Sequence, residues 1–262
     1  MNLKDIQSQK DHRKIEIDKV GVKGVRYPIV VLDRKNKIQH TVATINMYVS
    51  LPHHFKGTHM SRFIEVLNKH RHGISTQNVA EILVKMKEKL NSESAHIQIS
   101  FPFFIEKEAP VTKAKSLMEY MCHLWGAHEK RQDLIVGVEV PVTTLCPCSR
   151  EISNYGAHNQ RSLVMVRVRF KKFFWIEDLI RLVETCAVNE IYPLLKRPDE
   201  KFVTERAYDN PMFAEDIVRT IAEQLDKDAN ITWYTVEAEN QESIHNHSAY
   251  AMVEKNDPPD PF

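Results

Sequence analysis

Four valines on every second position, Val136, Val138, Val140 and Val142, constrain this chain more than any other feature of its sequence. Alternate residues of an extended backbone point to opposite faces, so this run predicts a strand with one face in a core and one outside it. The same alternation recurs at Ile97, Ile99, Phe101 and Phe103 and again over Leu163–Phe170. A fold with this much half-covered sheet needs helices or a second sheet to close its apolar faces.

Placed in order, the elements repeat. In the first half, strands over Val25–Asp33 and Gln39–Ser50 flank a turn at Arg34–Lys37. Helices follow over Ser61–His70 and Ala80–Leu90, the second with Val79, Ile82, Leu83, Met86 and Leu90 at helical spacing and Ser75 or Thr76 as cap. A strand through Ile97–Phe103 comes next, and Ser116–His128 is read as a strand because it completes the pattern. In the second half come the valine strand, the strand Leu163–Phe170 and a helix over Trp175–Ala187. A fourth helix opens on Asn210 as cap with Pro211 first, and carries Phe213, Ile217, Ile221 and Leu225 on one face. Strands Ile231–Ala238 and Ile244–Val253 close the series. The expectation is an α+β chain, strand–strand–helix–helix–strand–strand twice, with units 15–112 and 113–255 and flexible ends 1–14 and 256–262.

Lys plus Arg number 36 against 35 for Asp plus Glu, so no net field draws the chain to nucleic acid or to a membrane surface. No run approaches the roughly 20 apolar residues of a spanning helix, and the polar start lacks the apolar centre of a secretory signal. A cytoplasmic location is expected, with the four cysteines reduced. There is no glycine-rich phosphate loop.

The stretch TTLCPCSREISNYGAHNQRS, residues 143–162, reads as a polar loop between two strands carrying Cys146, Cys148, Glu151 and His158. Thiolate, imidazole and carboxylate are ligands for divalent zinc, iron or manganese, although the spacing is not that of a zinc finger. Buried thiols and a hydrogen-bonded histidine that merely pack are the plainer alternative. His245 and His247 fall on alternate positions of the last strand as read here, so both imidazoles share a face beside Glu242, suited to moving protons or simply exposed on an edge. Glu215 lies near a helix start, where a carboxylate is favoured by the dipole alone. Residues 196–201, KRPDEK, read as a charged connector, and His59–Arg62 as a possible phosphate contact or an ordinary cap.

Four segments in order, GTHMSRF, TTLCPCSREISNYGAHNQRS, KRPDEKFVTERAYDNP and ESIHNHSAYA, resemble the motifs of type IB GTP cyclohydrolases. The resemblance implies tandem tunnelling-fold units that associate into multi-subunit β-barrels, usually as a homotetramer, with active sites between subunits. It implies GTP as substrate and one divalent metal (Zn, Mn or Fe) per site, on Cys146, His158 and Glu200. It further implies Glu215 as guanine anchor, His245 and His247 as proton-transfer pair with Glu151 and Glu242 as polar partners, and Cys148 beside the metal or the substrate. Arg62, Lys196 and Arg197 are the expected triphosphate contacts. A relative with nitrile reductase chemistry, working through a thiol and a nicotinamide, and a non-catalytic zinc-stabilised oligomer are the competing readings.

Overall fold

The turn at residues 34–36 is built by one carboxylate. Asp33 Oδ1 accepts from the backbone N–H groups of Lys35 (2.9 Å) and Asn36 (2.6 Å), and Lys37 takes a positive φ of 70°. In the computed structural model, which describes residues 7, 9–70, 74, 78–187 and 189–255, this turn joins β1 (Ile17–Asp33) to β2 (Lys37–Leu51). The strands begin earlier than hydropathy suggested. Residues 17–24 pair with β2 across a bulge between Val22 and Val25, where Gly24 has φ +73° and its N–H donates to Asn46 Oδ1 at 2.7 Å.

The remaining elements are α1 (Met60–His70), α2 (Val79–Leu90), β3 (Ala95–Glu108), β4 (Lys115–His128), β5 (Gln132–Leu145), α3 (Pro147–Ile152), β6 (Asn159–Phe170), α4 (Ile176–Cys186), α5 (Arg197–Asp209), α6 (Ala214–Lys227), β7 (Ile231–Glu242) and β8 (Ser248–Glu254). The fold is α+β. Among the described residues the strands form one eight-stranded sheet, hydrogen-bonded in chain order from β1 to β8. Ser75 and Thr76, expected as caps of α2, and the tail 256–262 lie outside the described residues.

Contacts divide the chain into two compact units, residues 1–102 with 123–136, and residues 103–122 with 137–262. β3, β4 and β5 contribute residues to both. In the first unit, Phe63, Val66 and Leu67 of α1 and Val79, Ile82, Leu83, Met86 and Leu90 of α2 are buried, with Ala43, Ile45, Met47 and Val49 of β2. Gly126 of β4 passes under α2. A Cβ there would lie 2.7 Å from Val79 Cγ1, 3.0 Å from Leu83 Cδ1 and 3.1 Å from Ile97 Cγ2. Three apolar neighbours cannot all yield in a close-packed core, so Gly126→Ala is expected to lose about 1–3 kcal/mol of stability, measured by urea unfolding.

In the second unit α4 buries Leu179, Ile180 and Val183, and α6 buries Ala214, Ile217, Val218, Ile221 and Leu225. Here two expectations are corrected. Residues 197–209 are a helix, not a connector; only Asp199 and Ala207 are buried on it, so no apolar stripe announced it. Asn210 consequently ends α5 as its C-cap, and α6 starts after Phe213, whose N–H is capped by Asp216 Oδ2 at 3.1 Å. Further, β8 starts only at Ser248, which leaves His245 and His247 in the connection before it.

Candidate active site

The expected loop after β5 folds into a short helix at once. Cys146 is its N-cap and Pro147 its first residue. The Cys146 sulfur accepts the Ser149 N–H at 3.5 Å, and the Ser149 hydroxyl donates to the Cys146 carbonyl at 3.2 Å. Ser149 Oγ also accepts the His158 N–H (3.3 Å), while the Cys146 N–H donates to the His158 carbonyl (3.2 Å). Cys146 and His158, twelve residues apart, are thus clasped backbone to backbone. Cys146 is buried, whereas His158 is half-buried and Cys148 and Glu151 are exposed. Burial pushes the thiols of Cys122 and Cys186 up, away from the thiolate form.

The ends of α5 and α6 meet this loop. The Arg150 guanidinium lies over the Tyr208 ring at 4.7 Å, and the Met212 N–H donates to the Leu145 carbonyl at 3.3 Å. Glu215 follows in the first turn of α6, exposed, as its position in the sequence indicated. At the other end of α5, Lys196 is the N-cap and Arg197 and Glu200 lie in the first turn, all three exposed.

That first turn is anchored by Asp199, a residue the sequence reading passed over. Its carboxylate is wholly buried and accepts from Val111 N (2.9 Å), Thr112 N (2.8 Å), Thr112 Oγ1 (2.6 Å) and Lys196 N (3.0 Å). Burial pushes this carboxyl up, but the hydrogen bonds from Thr112, Lys196 and Val111 outweigh it and hold it well below the usual carboxylate range. The one available signal was an acid three residues after a helix start with proline inside it.

A carboxyl depressed in the folded state contributes stability above its unfolded pKa, about 3.9, and loses it as pH falls through the folded value. Asp199→Asn, which sets an amide N–H₂ against the donors of Lys196 and Thr112, should therefore lower the unfolding midpoint at pH 7. The gap should narrow below about pH 4, where the unfolded carboxyl of wild type takes up a proton that the folded one still refuses, which thermal unfolding at several pH values would show.

The histidine pair is ordered by another carboxylate. Glu242 Oε2 lies 3.3 Å from His245 Nε2, and the His245 and His247 rings stack with centroids 5.1 Å apart and planes at 26°. The shared face expected of a strand thus arises from a turn, closed by the His245 N–H donating to the Glu242 carbonyl at 3.3 Å. Glu242 Oε1 accepts from Gln160 Nε2 at 3.1 Å. The start of β6 therefore joins both groups: His158 leads to the thiol and Gln160 to the histidines.

Two expectations find less. Among the described residues no three His, Cys, Asp or Glu side chains stand close enough to hold a metal ion, so Cys146, His158 and Glu200 are not a formed three-donor cluster within one chain. The reason is local: Cys146 and His158 share one backbone clasp, but Glu200 rides on α5, whose first turn is tied to residues 111–112 instead. Arg62 lies on α1 in the first unit, where its guanidinium donates to the Lys89 carbonyl at 3.3 Å.

Residues 3–251 match the family described as type I GTP cyclohydrolase folE2. The chain belongs to that family. The relatives agree over its whole length. GTP cyclohydrolase FolE2 of Syntrophus aciditrophicus is 66% identical over 252 residues, covering 96% of this chain and 99% of the relative. That of Syntrophotalea carbinolica is 62% identical, covering 96% and 95%. Solved structures show the fold alone. A uricase from Bacillus fastidious matches with TM-score 0.58 at 7% identity, covering 94% of each chain. Urate oxidase from Bacillus subtilis matches with TM-score 0.50 at 8% identity, covering 90% of this chain and 97% of its own. The family's fold is thus the uricase-like tunnelling fold.

Proposed function

We propose that the chain is a GTP cyclohydrolase I, converting GTP and water to 7,8-dihydroneopterin triphosphate and formate at the entry to tetrahydrofolate and pterin synthesis. Membership of the family supports the reaction, and one observation carries the site. The backbones of Cys146 and His158 are clasped where the chain enters β6, two residues before Gln160, which donates to Glu242 of the Glu242–His245–His247 series. A ring-opening hydrolysis asks for those two functions, an electrophilic centre that activates water and groups that hand protons to nitrogen.

Cys146, His158 and Glu200 would hold one divalent ion, zinc, manganese or iron. The buried Cys146 sulfur, which accepts only a long N–H contact at 3.5 Å from Ser149, and the half-buried imidazole suit such an ion as donors. Glu200 would have to be brought to them, and association of chains is the step that would do so. Bound there, the ion would supply Lewis acidity and bring the pKa of water from about 16 to about 7.

The protein's own residues do the rest. The Glu215 carboxylate accepts the ring N–H and exocyclic amine of guanine, and Lys196 and Arg197, on the α5 start that Asp199 fixes, face the triphosphate. His245 or His247 delivers the proton to N7 as C8 is hydrated, and C8 leaves as formate. Glu151 and Cys148, exposed on α3, flank the reacting base. The tandem units 15–112 and 113–255 would assemble into a barrel of several chains, as a homotetramer in the cytoplasm. Such closure would cover the open sheet edges at β1 and β8.

The test is incubation of metal-stripped protein with GTP, with and without manganese or zinc, reading formate and oxidised-neopterin fluorescence. Metal-dependent product is expected. A folded, oligomeric protein that releases no formate with any metal would overturn the reading. Glu215→Ala should raise KM for GTP about 100-fold or more, since each hydrogen bond to a charged group contributes about 1.5–3 kcal/mol. Wild-type affinity in that variant would remove the anchor assignment.

A further inference from the structure

A buried polar series leads to the carboxylate that orders the histidine pair. Thr144, Ser162, Asn240 and Gln160 are each no more than 2% exposed. Strand register sets them face to face, with Gln160 opposite Glu242 and Ser162 opposite Asn240 across β6 and β7. Every bond among them runs the same way. The Ser162 hydroxyl donates to Asn240 Oδ1 (2.5 Å), and Asn240 Nδ2 donates to Gln160 Oε1 (3.2 Å). Thr144 Oγ1 donates to the same oxygen (3.0 Å), and Gln160 Nε2 donates to Glu242 Oε1 (3.1 Å).

The Gln160 amide therefore has one permitted orientation. Turned over, its oxygen would meet the Glu242 carboxylate and its N–H₂ would meet the Asn240 N–H₂, leaving buried groups unpaired. Donors aligned in series polarise one another, and this series ends on Glu242. The carboxylate, its side chain only 17% exposed, has one oxygen fixed by Gln160 and the other 3.3 Å from His245.

We propose that Gln160 is a positioning residue for the histidine pair: by holding one oxygen of Glu242 it sets the other against His245, and so fixes the stack of His245 on His247. The function of that stack in proton transfer rests on the reading given above, whereas the geometry does not. Gln160, buried below the surface, acts through Glu242.

Gln160→Met keeps the length of the side chain and removes the donor. It is expected to lower kcat for GTP at least tenfold with KM within twofold, and to move the ring resonances of His245 and His247 in isotope-labelled protein as Glu242→Gln does. Gln160→Asn, one methylene too short to reach Glu242 but still carrying a polar amide, should do the same. Val164→Ala, a cavity on the same face of β6, is the structural control and should leave both readouts at wild-type values. The proposal is overturned if Gln160→Met and Gln160→Asn keep wild-type ring resonances, or if Val164→Ala shifts kcat and resonances as far as they do. Should wild-type protein release no formate, the cyclohydrolase reading fails, and the ring resonances still decide the role of Gln160.

Discussion

Cys146→Ser is expected to keep the fold and to lose at least about 100-fold in both metal affinity and turnover, the scale on which weaker perturbations of metal sites already act. Serine separates the two things Cys146 does. As N-cap of α3 the sulfur accepts the Ser149 N–H, and a hydroxyl is a better cap than a thiol. As a proposed metal ligand the thiolate has no equal in a neutral hydroxyl, which binds soft or borderline ions weakly. Cys146→Ala removes both functions, and should add a helix-end loss of roughly 1 kcal/mol to the same loss of metal. Metal per chain by elemental analysis, formate release and thermal unfolding on both variants give the comparison. A serine variant that retains metal and turns over GTP at the wild-type rate would take Cys146 out of the ligand set. Equal stability of the two variants would instead show that the N-cap contact is worthless.

The sequence displayed elements whose burial follows a period. The valines of β5, the α2 stripe from Val79 to Leu90 and the Ile217, Ile221 and Leu225 stripe of α6 are where hydropathy placed them. It hid elements held by something other than apolar faces. α5 buries an aspartate and an alanine, so its helical character rests on caps, first-turn acids and the hold of Thr112 on Asp199. The Asn210–Pro211 pair, a sound start signal, was outcompeted because Asn210 already closes α5 with its N–H on the Arg206 carbonyl. The histidine pair was legible as a pair, yet the turn that stacks it depends on Glu242 and Gln160, 82 residues apart in sequence and joined only by strand register. Cys146 and His158 were legible as candidate donors, while the clasp between their backbones depends on Ser149, which the motif contains but no ligand rule marks.

Lys107→Met should produce the largest loss of stability of any single change discussed. Lys107 sits near the end of β3, 8% exposed, and each ammonium proton has an acceptor: Glu184 Oε1 at 2.6 Å, Glu190 Oε2 at 2.8 Å and the Ile191 carbonyl at 2.9 Å. The ammonium also lies 4.7 Å from the centre of the Tyr192 ring. Tyr120, fully buried, donates its hydroxyl to the same Glu184 oxygen at 2.5 Å. Burial first, and then the Glu184 charge, push the Tyr120 phenol well above its ordinary value, so it remains a donor across the accessible pH range.

Methionine preserves the packing of the lysine stem and removes the one cation between two carboxylates. Breaking a buried ion pair from one side costs about 3–5 kcal/mol, or roughly 10 °C in unfolding midpoint for a chain of this size. The deficit should narrow on acidification, because protonating the stranded carboxylates removes the uncompensated charge. Adding Glu184→Gln to Lys107→Met should restore part of it at neutral pH, leaving Glu190, the more exposed acid, to reach water. Equal midpoints for Lys107→Met and wild type at pH 7 would show that the ammonium's desolvation cancels its contacts. The same variant probes the site, since Glu190, Ile191 and Tyr192 lie on the connection that runs into Lys196 and the first turn of α5. With Asp199 still holding that turn to Val111 and Thr112, KM for GTP should change far less than stability does; a KM that rises in step would mean that the Lys107 anchor, too, aligns the start of α5.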